Sequence, residues 1–290
     1  MPTRQEYIRK LEPLLRNPAK AEALADLLVA ESNLPGPRGN LELAGAFAEA
    51  VTEAPEPAAW LATLYGWAGL DSVQAPTGDP REFLPFCAVL SFGALYHNHI
   101  CGYPCTQPCT CPLWPAQGVY LLETIRAAAE DPRWRLREGA AMALQRLGED
   151  EPAALPAILD GFLTGSSLLA RRAVMAGLAH PPLLEDEGLA RYALVTADRI
   201  LGDTAALPAE KRKSEEFCVL IKGLSYSLSV LVAALPGEGF PLLERWAGSS
   251  DHDIQRVLAA NLKKRRLAAA HPEKTSSLQR ILAGARAGRR

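Results

Sequence analysis

The chain has 290 residues, 48% of them hydrophobic and 22% charged, with a formal net charge of −2. That composition excludes a disordered chain, and the length suffices to bury a large core in one or two compact domains or in one extended repeat array. The charge is uneven: from Arg256 to Arg290 ten Lys or Arg stand against one acid, Glu273, so the first 255 residues hold 21 bases against 32 acids.

Helical periodicity runs through the whole chain. The first stretch, "MPTRQEYIRKLEPLL", carries five charges and has no apolar h-region, so the expectation is a cytoplasmic protein with reduced thiols. Apolar spacing, with breaks at Pro and Gly clusters such as "NLPGPRGN" and "APTGDP", predicts helices over 4–16, 18–31, 40–53, 57–70, 81–97, 115–130, 132–148, 151–164, 167–180, 187–203, 214–235, 237–247, 251–268 and 275–286. No segment alternates convincingly as a strand. Within 57–70, Trp60, Tyr65 and Trp67 are expected to anchor packing between helices. Cys87 and Cys218 lie in apolar helical runs and are expected to be buried. In "DPRWRLREGAAMALQRLGED", Leu136, Ala140, Ala143, Leu144 and Leu147 share one face. Asp131 is the expected cap, Pro132 sits in the first turn, Gly148 is the expected stop, and the small residues from Gly139 to Ala143 invite close approach of another helix. The segment from Phe217 to Leu235 is long enough to cross a bilayer, but Lys222 and four hydroxyl side chains in its middle predict a central soluble helix and no membrane.

Between the helices at 81–97 and 115–130 lies "YHNHICGYPCTQPCTCPLWP". His97, His99, Cys101, Cys105, Cys109 and Cys111 crowd a loop that its prolines keep from being helical. Four thiols in eleven residues suit zinc or an iron–sulfur cluster, with the histidines able to replace a thiol. A disulfide and free thiols are the other readings, because the loop has none of the paired C-x2-C turns of a zinc ribbon. No carboxylate lies in the loop, so a metal there is expected to be structural rather than catalytic, and no organic cofactor is implied.

Three sets of cations are candidate binding residues. Arg133 and Arg137 flank Trp134 by spacing, and read either as a phosphate-contacting edge with an aromatic platform or, for Arg137, as a ladder bonding carbonyls or acids of the adjacent repeat. Arg171 and Arg172 stand at an equivalent helix start in "LLARRAV". Lys263, Lys264, Arg265 and Arg266 end a predicted helix, where they either answer the helix dipole or form an anion-binding rim. "SSDHDI", with Asp251, His252 and Asp253, reads as an acidic helix start. No P-loop, H-E-x-x-H or G-x-S-x-G pattern occurs.

"RVLAANL" from Arg256 repeats the R-x-x-A-A of "REGAAMA" from Arg137 at an offset of 119, about three periods of forty. Here the chain resembles the HEAT-type repeat proteins: "DPRWRLREGAAMALQRLGED" is similar to one of their two-helix units and "DHDIQRVLAANLKKRRL" to a closing one. The resemblance implies an all-α, right-handed solenoid of about six irregular antiparallel helix pairs. That would be a single domain over 1–290, with a Cys/His/Pro-rich loop inserted at 97–115 and a basic helix or tail at 269–290. It implies a non-enzymatic scaffold for a macromolecular partner, and the acidity of the first 255 residues favours a protein over a nucleic acid as that partner. The Trp/Arg-rich start at Arg133, Trp134, Arg135 and Arg137 is also similar to the helical-repeat alkylpurine DNA glycosylases. That likeness implies DNA capture by Arg133, Arg137, Arg171, Arg172 and Lys263–Arg266. The chain departs from that group in having no Trp followed four residues later by Asp in a matching helix, which leaves a catalytic carboxylate unassigned. A third reading is a thiol- or metal-responsive adaptor run by the cysteine loop.

Overall fold

A computed structural model describes residues 2–97, 114–165 and 167–287, without the side chains of 97, 114–116 and 285–287. The described residues are all-helical, with fifteen α-helices and no strand. They gather into two compact units, Met1–Glu151 and Pro152–Arg290. The cysteine loop, with His99, Cys101, Cys105, Cys109, Cys111 and the side chain of His97, lies outside the described residues.

The first unit holds α1 (Arg4–Leu15), α2 (Ala21–Ala30), α3 (Leu41–Thr52), α4 (Leu61–Ala68), α5 (Phe83–His97), α6 (Trp114–Ala129) and α7 (Trp134–Asp150). The predicted helices at 18–31, 57–70 and 81–97 each start as a short 3-10 turn led by proline, Pro18–Lys20, Pro57–Trp60 and Pro80–Glu82. Proline's fixed φ suits a helix start, where its missing N–H is not needed. α5 has no charge and is buried on every side from Phe83 to Leu95, as expected of a helix that is apolar all round. It sits at the centre, against α3 and α7, with α2, α4 and α6 also touching it; α1 packs on α3. The small residues of α7 act as expected. Gly139 lies under the Phe86 ring, and a Cβ added at Gly93 of α5 would collide with the backbone of Ala143.

The tryptophans and Tyr65 of the α4 region pack as predicted. Trp60 is buried and donates from Nε1 to the Leu15 carbonyl at 3.0 Å. Tyr65 stacks on Phe92 with ring centroids 4.9 Å apart, and Trp67 meets Phe47. Cys87 is fully buried, and that burial pushes its thiol pKa well up. Cys218 is exposed, a correction to the expectation of burial: it falls on the one solvent-facing stripe of its helix.

The second unit holds α8 (Leu155–Leu163), α9 (Leu168–Leu178), α10 (Glu187–Ala205), α11 (Glu215–Ala234), α12 (Pro236–Ala247), α13 (His252–Leu262), α14 (Arg265–Ala268) and α15 (Pro272–Ala287). α11 is the central helix, touching α9, α10, α12, α13 and α14. Among the described residues it is the one helix long and apolar enough to cross a membrane, and over half of its apolar window is buried inside the protein. Ser167, Asp186, Ser214 and Asp251 cap α9, α10, α11 and α13 through their side-chain oxygens. The helix expected over 251–268 is broken: α13 stops at Leu262, Lys264 turns to extended backbone, and α14 follows. The break turns Leu267 into the core and separates the four cations from a regular helix.

Candidate functional site

The predicted arginines of the first unit turn inward. Arg133 is the N-cap of α7, two residues later than the expected cap Asp131, and only 3% exposed. All five of its guanidinium N–H groups have acceptors. Nε and one Nη reach the two carboxylate oxygens of Asp131 at 2.9 and 2.8 Å, and the others reach the carbonyls of Leu70, Asp71 and Ala75 at 2.8–3.2 Å. Arg133 therefore fastens the loop after α4 to the start of α7 and has no donor left for a phosphate. Arg137 is also buried and donates to the carbonyls of Asp131 and Pro132. Those carbonyls belong to its own turn, whereas the ladder reading placed them in an adjacent repeat. Trp134 is 44% exposed and has the guanidinium of Arg135 over its ring at 4.5 Å. α7 also runs past Gly148 to Asp150, since a helical glycine need not end a helix whose following residues still find i−4 carbonyls.

In the second unit the cations turn outward and gather on one face. The exposed stripe of α11 runs Cys218, Lys222, Tyr226, one helical turn apart. From α9, Arg172 leans across it: a Cβ built at Gly223 would stand 3.1 Å from the Arg172 Cγ. From the α13–α14 break, Lys264 places its ammonium 5.4 Å from the centre of the Tyr226 ring and Arg266 its guanidinium 4.8 Å from it. Arg266 also donates to the Tyr226 hydroxyl at 2.9 Å. Lys263 and Arg265 are exposed beside them. Among the described residues no hydrogen bond or ion pair engages the side chains of Lys222, Lys263 or Arg265. Arg171 differs: it sits 3.4 Å from Asp203.

One buried residue sets this geometry. Asn261, fully buried at the end of α13, inserts its amide into α11. Its Oδ1 accepts from the Ser229 amide at 2.8 Å and its Nδ2 donates to the Leu224 carbonyl at 2.8 Å. These two backbone groups bracket Tyr226. Asn261 therefore ties the tyrosine's turn to the last turn of α13, two residues before the four-cation run. A buried amide with all these partners fixes one register, because any slip leaves polar groups unpaired. The sequence reading found the cations and missed Tyr226, Lys222 and Asn261. The signal for Lys222 and Tyr226 was present, an i, i+4 pair facing out of an otherwise apolar helix.

A second arginine clamp lies at the other end of α13. Arg212 reaches the carbonyls of Thr204, Ala205 and Leu207 at the end of α10 and the carboxylates of Asp251 and Asp253 at the start of α13. This fulfils the reading of Asp251 and Asp253 as a helix start, with Asp251 accepting from the amides of Asp253 and Ile254. Among the described residues no group of three or more His, Cys, Asp or Glu is placed to hold a metal. Compared with known proteins, the chain matches no family model and no curated protein.

Proposed function

We propose that the chain is a non-enzymatic helical-repeat scaffold of HEAT-like type whose second unit binds the backbone of a single-stranded nucleic acid. The solenoid reading is supported by the packing order inside each unit. α1, α3, α5 and α7 touch in sequence, as do α9, α11, α13 and α15, with the helices between them lying alongside. The observation that carries the partner is the Tyr226 cluster: an exposed aromatic ring with Lys264 and Arg266 packed against it, one turn from Lys222 on α11, and the exposed Lys263 and Arg265 next to them in the chain. Exposed cations around an aromatic side chain on which a base can stack are elements of sequence-tolerant single-strand binding.

The expectation of a protein partner rested on the acidity of the chain. That acidity belongs to the first unit, which has 12 Lys and Arg against 19 Asp and Glu; the second has 19 against 14 and is net positive. Fluorescence anisotropy with a labelled single-stranded oligonucleotide tests the reading. Binding weakens with salt at a slope of about −2 to −4 on logarithmic axes, as neutralising about three to five phosphates requires, and the Lys222→Glu/Arg266→Glu double variant loses it. Absence of binding, a flat salt response, or stronger capture of polyglutamate than of the oligonucleotide returns the protein-partner reading.

For Cys101, Cys105, Cys109 and Cys111, with His97 and His99, we keep the proposal of a structural zinc or iron–sulfur site, supported by their spacing in the sequence. Elemental analysis and a visible spectrum of untagged protein decide it, and no stoichiometric metal ends it.

A further inference from the structure

The first unit contains a cavity of about 370 Å³ between the Pro37–Leu41 segment and the starts of α5 and α7. Its walls are the side chains of Leu41, Phe83, Phe86 and Trp134, with Arg38 and Arg135 among the polar residues that line it. The size falls within the range of small-molecule sites, which join mostly apolar walls to a few fixed polar groups.

Arg135 is the unusual wall residue. It is 6% exposed, yet its hydrogen bonding is incomplete. One Nη donates to the buried Glu82 carboxylate at 2.8 Å and the other to the Gly36 carbonyl at 2.6 Å. Nε has no partner and is closed off from the surface, while each Nη makes only that one hydrogen bond among the described residues and keeps a second N–H. Arg133, two residues earlier, has all five satisfied. Glu82, the Gly36 carbonyl and the Trp134 ring hold the Arg135 guanidinium in place, so its spare Nη N–H groups meet a ligand at no further ordering cost. Arg38 lies exposed at the same opening and takes part in no ion pair among the described residues. Glu138 also lines the cavity, and it already has interactions of its own. Glu82 balances the charge of Arg135, which leaves Arg38 as the uncompensated charge at the mouth.

We propose that this cavity binds a small aromatic acid, its ring against Trp134, Phe83 and Phe86 and its carboxylate toward the Arg135 edge and Arg38. Aromatic walls accept a flat ring by stacking and edge contacts, and a guanidinium with unmet N–H groups favours a carboxylate over a neutral acceptor. This goes beyond the nucleic-acid reading and uses a different unit, so either stands without the other.

Isothermal titration of the full chain with 3-phenylpropionate and its uncharged amide, 3-phenylpropionamide, tests it. The acid binds at least about tenfold more tightly than the amide. Arg38→Ala weakens the acid and leaves the amide unchanged. Leu41→Trp, which fills the mouth from an exposed position, abolishes both without shifting the Tm. Removing Arg135 itself would strand Glu82 and risk the fold, which is why the exposed positions are used. Equal binding of acid and amide, no binding of either, or undiminished binding to the Leu41→Trp protein each overturns the proposal.

Discussion

The two units treat arginine in opposite ways. On α7, Arg133, Arg135 and Arg137 occupy alternate positions of one short stretch, and all three are nearly buried, joined to carbonyls and carboxylates of their own unit. On the second unit, Lys222, Lys263, Lys264, Arg265 and Arg266 stay at the surface around Tyr226, while the clamp role falls to Arg212. The same residue type thus does two jobs. Inside, the rigid fork of a guanidinium satisfies several loop carbonyls at once. Outside, the charge remains available to an anion. Cation density in a sequence does not separate these cases; what separates them is whether unpaired carbonyls lie within reach.

That contrast can be broken by mutation. The largest effect is expected from Arg133→Ala, which strands the carbonyls of Leu70, Asp71 and Ala75 together with Asp131. The loss is about 3–5 kcal/mol, read as a lowered denaturant midpoint with nucleic-acid binding by the remaining folded protein unchanged. Asn261→Ala comes next. It removes a fully buried amide from between α13 and α11, at a cost of about 2–3 kcal/mol, and it releases the Lys263–Arg266 run from its place beside Tyr226. Stability and oligonucleotide affinity should therefore fall together, and a weakened fold with full affinity would show that Asn261 does not position the cluster. The smallest effect on folding belongs to the Lys264→Ala/Arg266→Ala pair. Unfolding changes by under about 0.5 kcal/mol per residue. The salt slope of binding flattens by about 0.7 for each phosphate that the variant no longer neutralises, measured by anisotropy at several ionic strengths.

Much of the fold was legible because helices write their period into the chain. α11 was expected as a central helix from the apolar run Phe217–Leu235, and Gly139 with the alanines after it signalled close approach of another helix. The caps Asp251 and Ser214 were readable for the same local reason: a short oxygen-bearing side chain satisfies amides two or three residues ahead. The α13–α14 break was not readable. Leu262 to Arg266 looks like continuous helix, and what interrupts it is the need to bury Leu267 and seat Asn261 against α11, whose bonded residues lie more than thirty positions away.

The site divides along the same line. That cations cluster at Arg171–Arg172 and Lys263–Arg266 is a property of the sequence. That Lys264 and Arg266 close around Tyr226, that Arg172 lies over Gly223, and that Arg135 keeps unmet donors beside a cavity are not. The sequence by itself determined an all-helical chain and the central place of α11, because helix period, capping and apolar burial act over a few residues. Only the tertiary structure decided which arginines became internal fasteners and which stayed available, because a guanidinium answers to whatever carbonyls and carboxylates the fold brings within about 3 Å, and those come from residues distant in the chain.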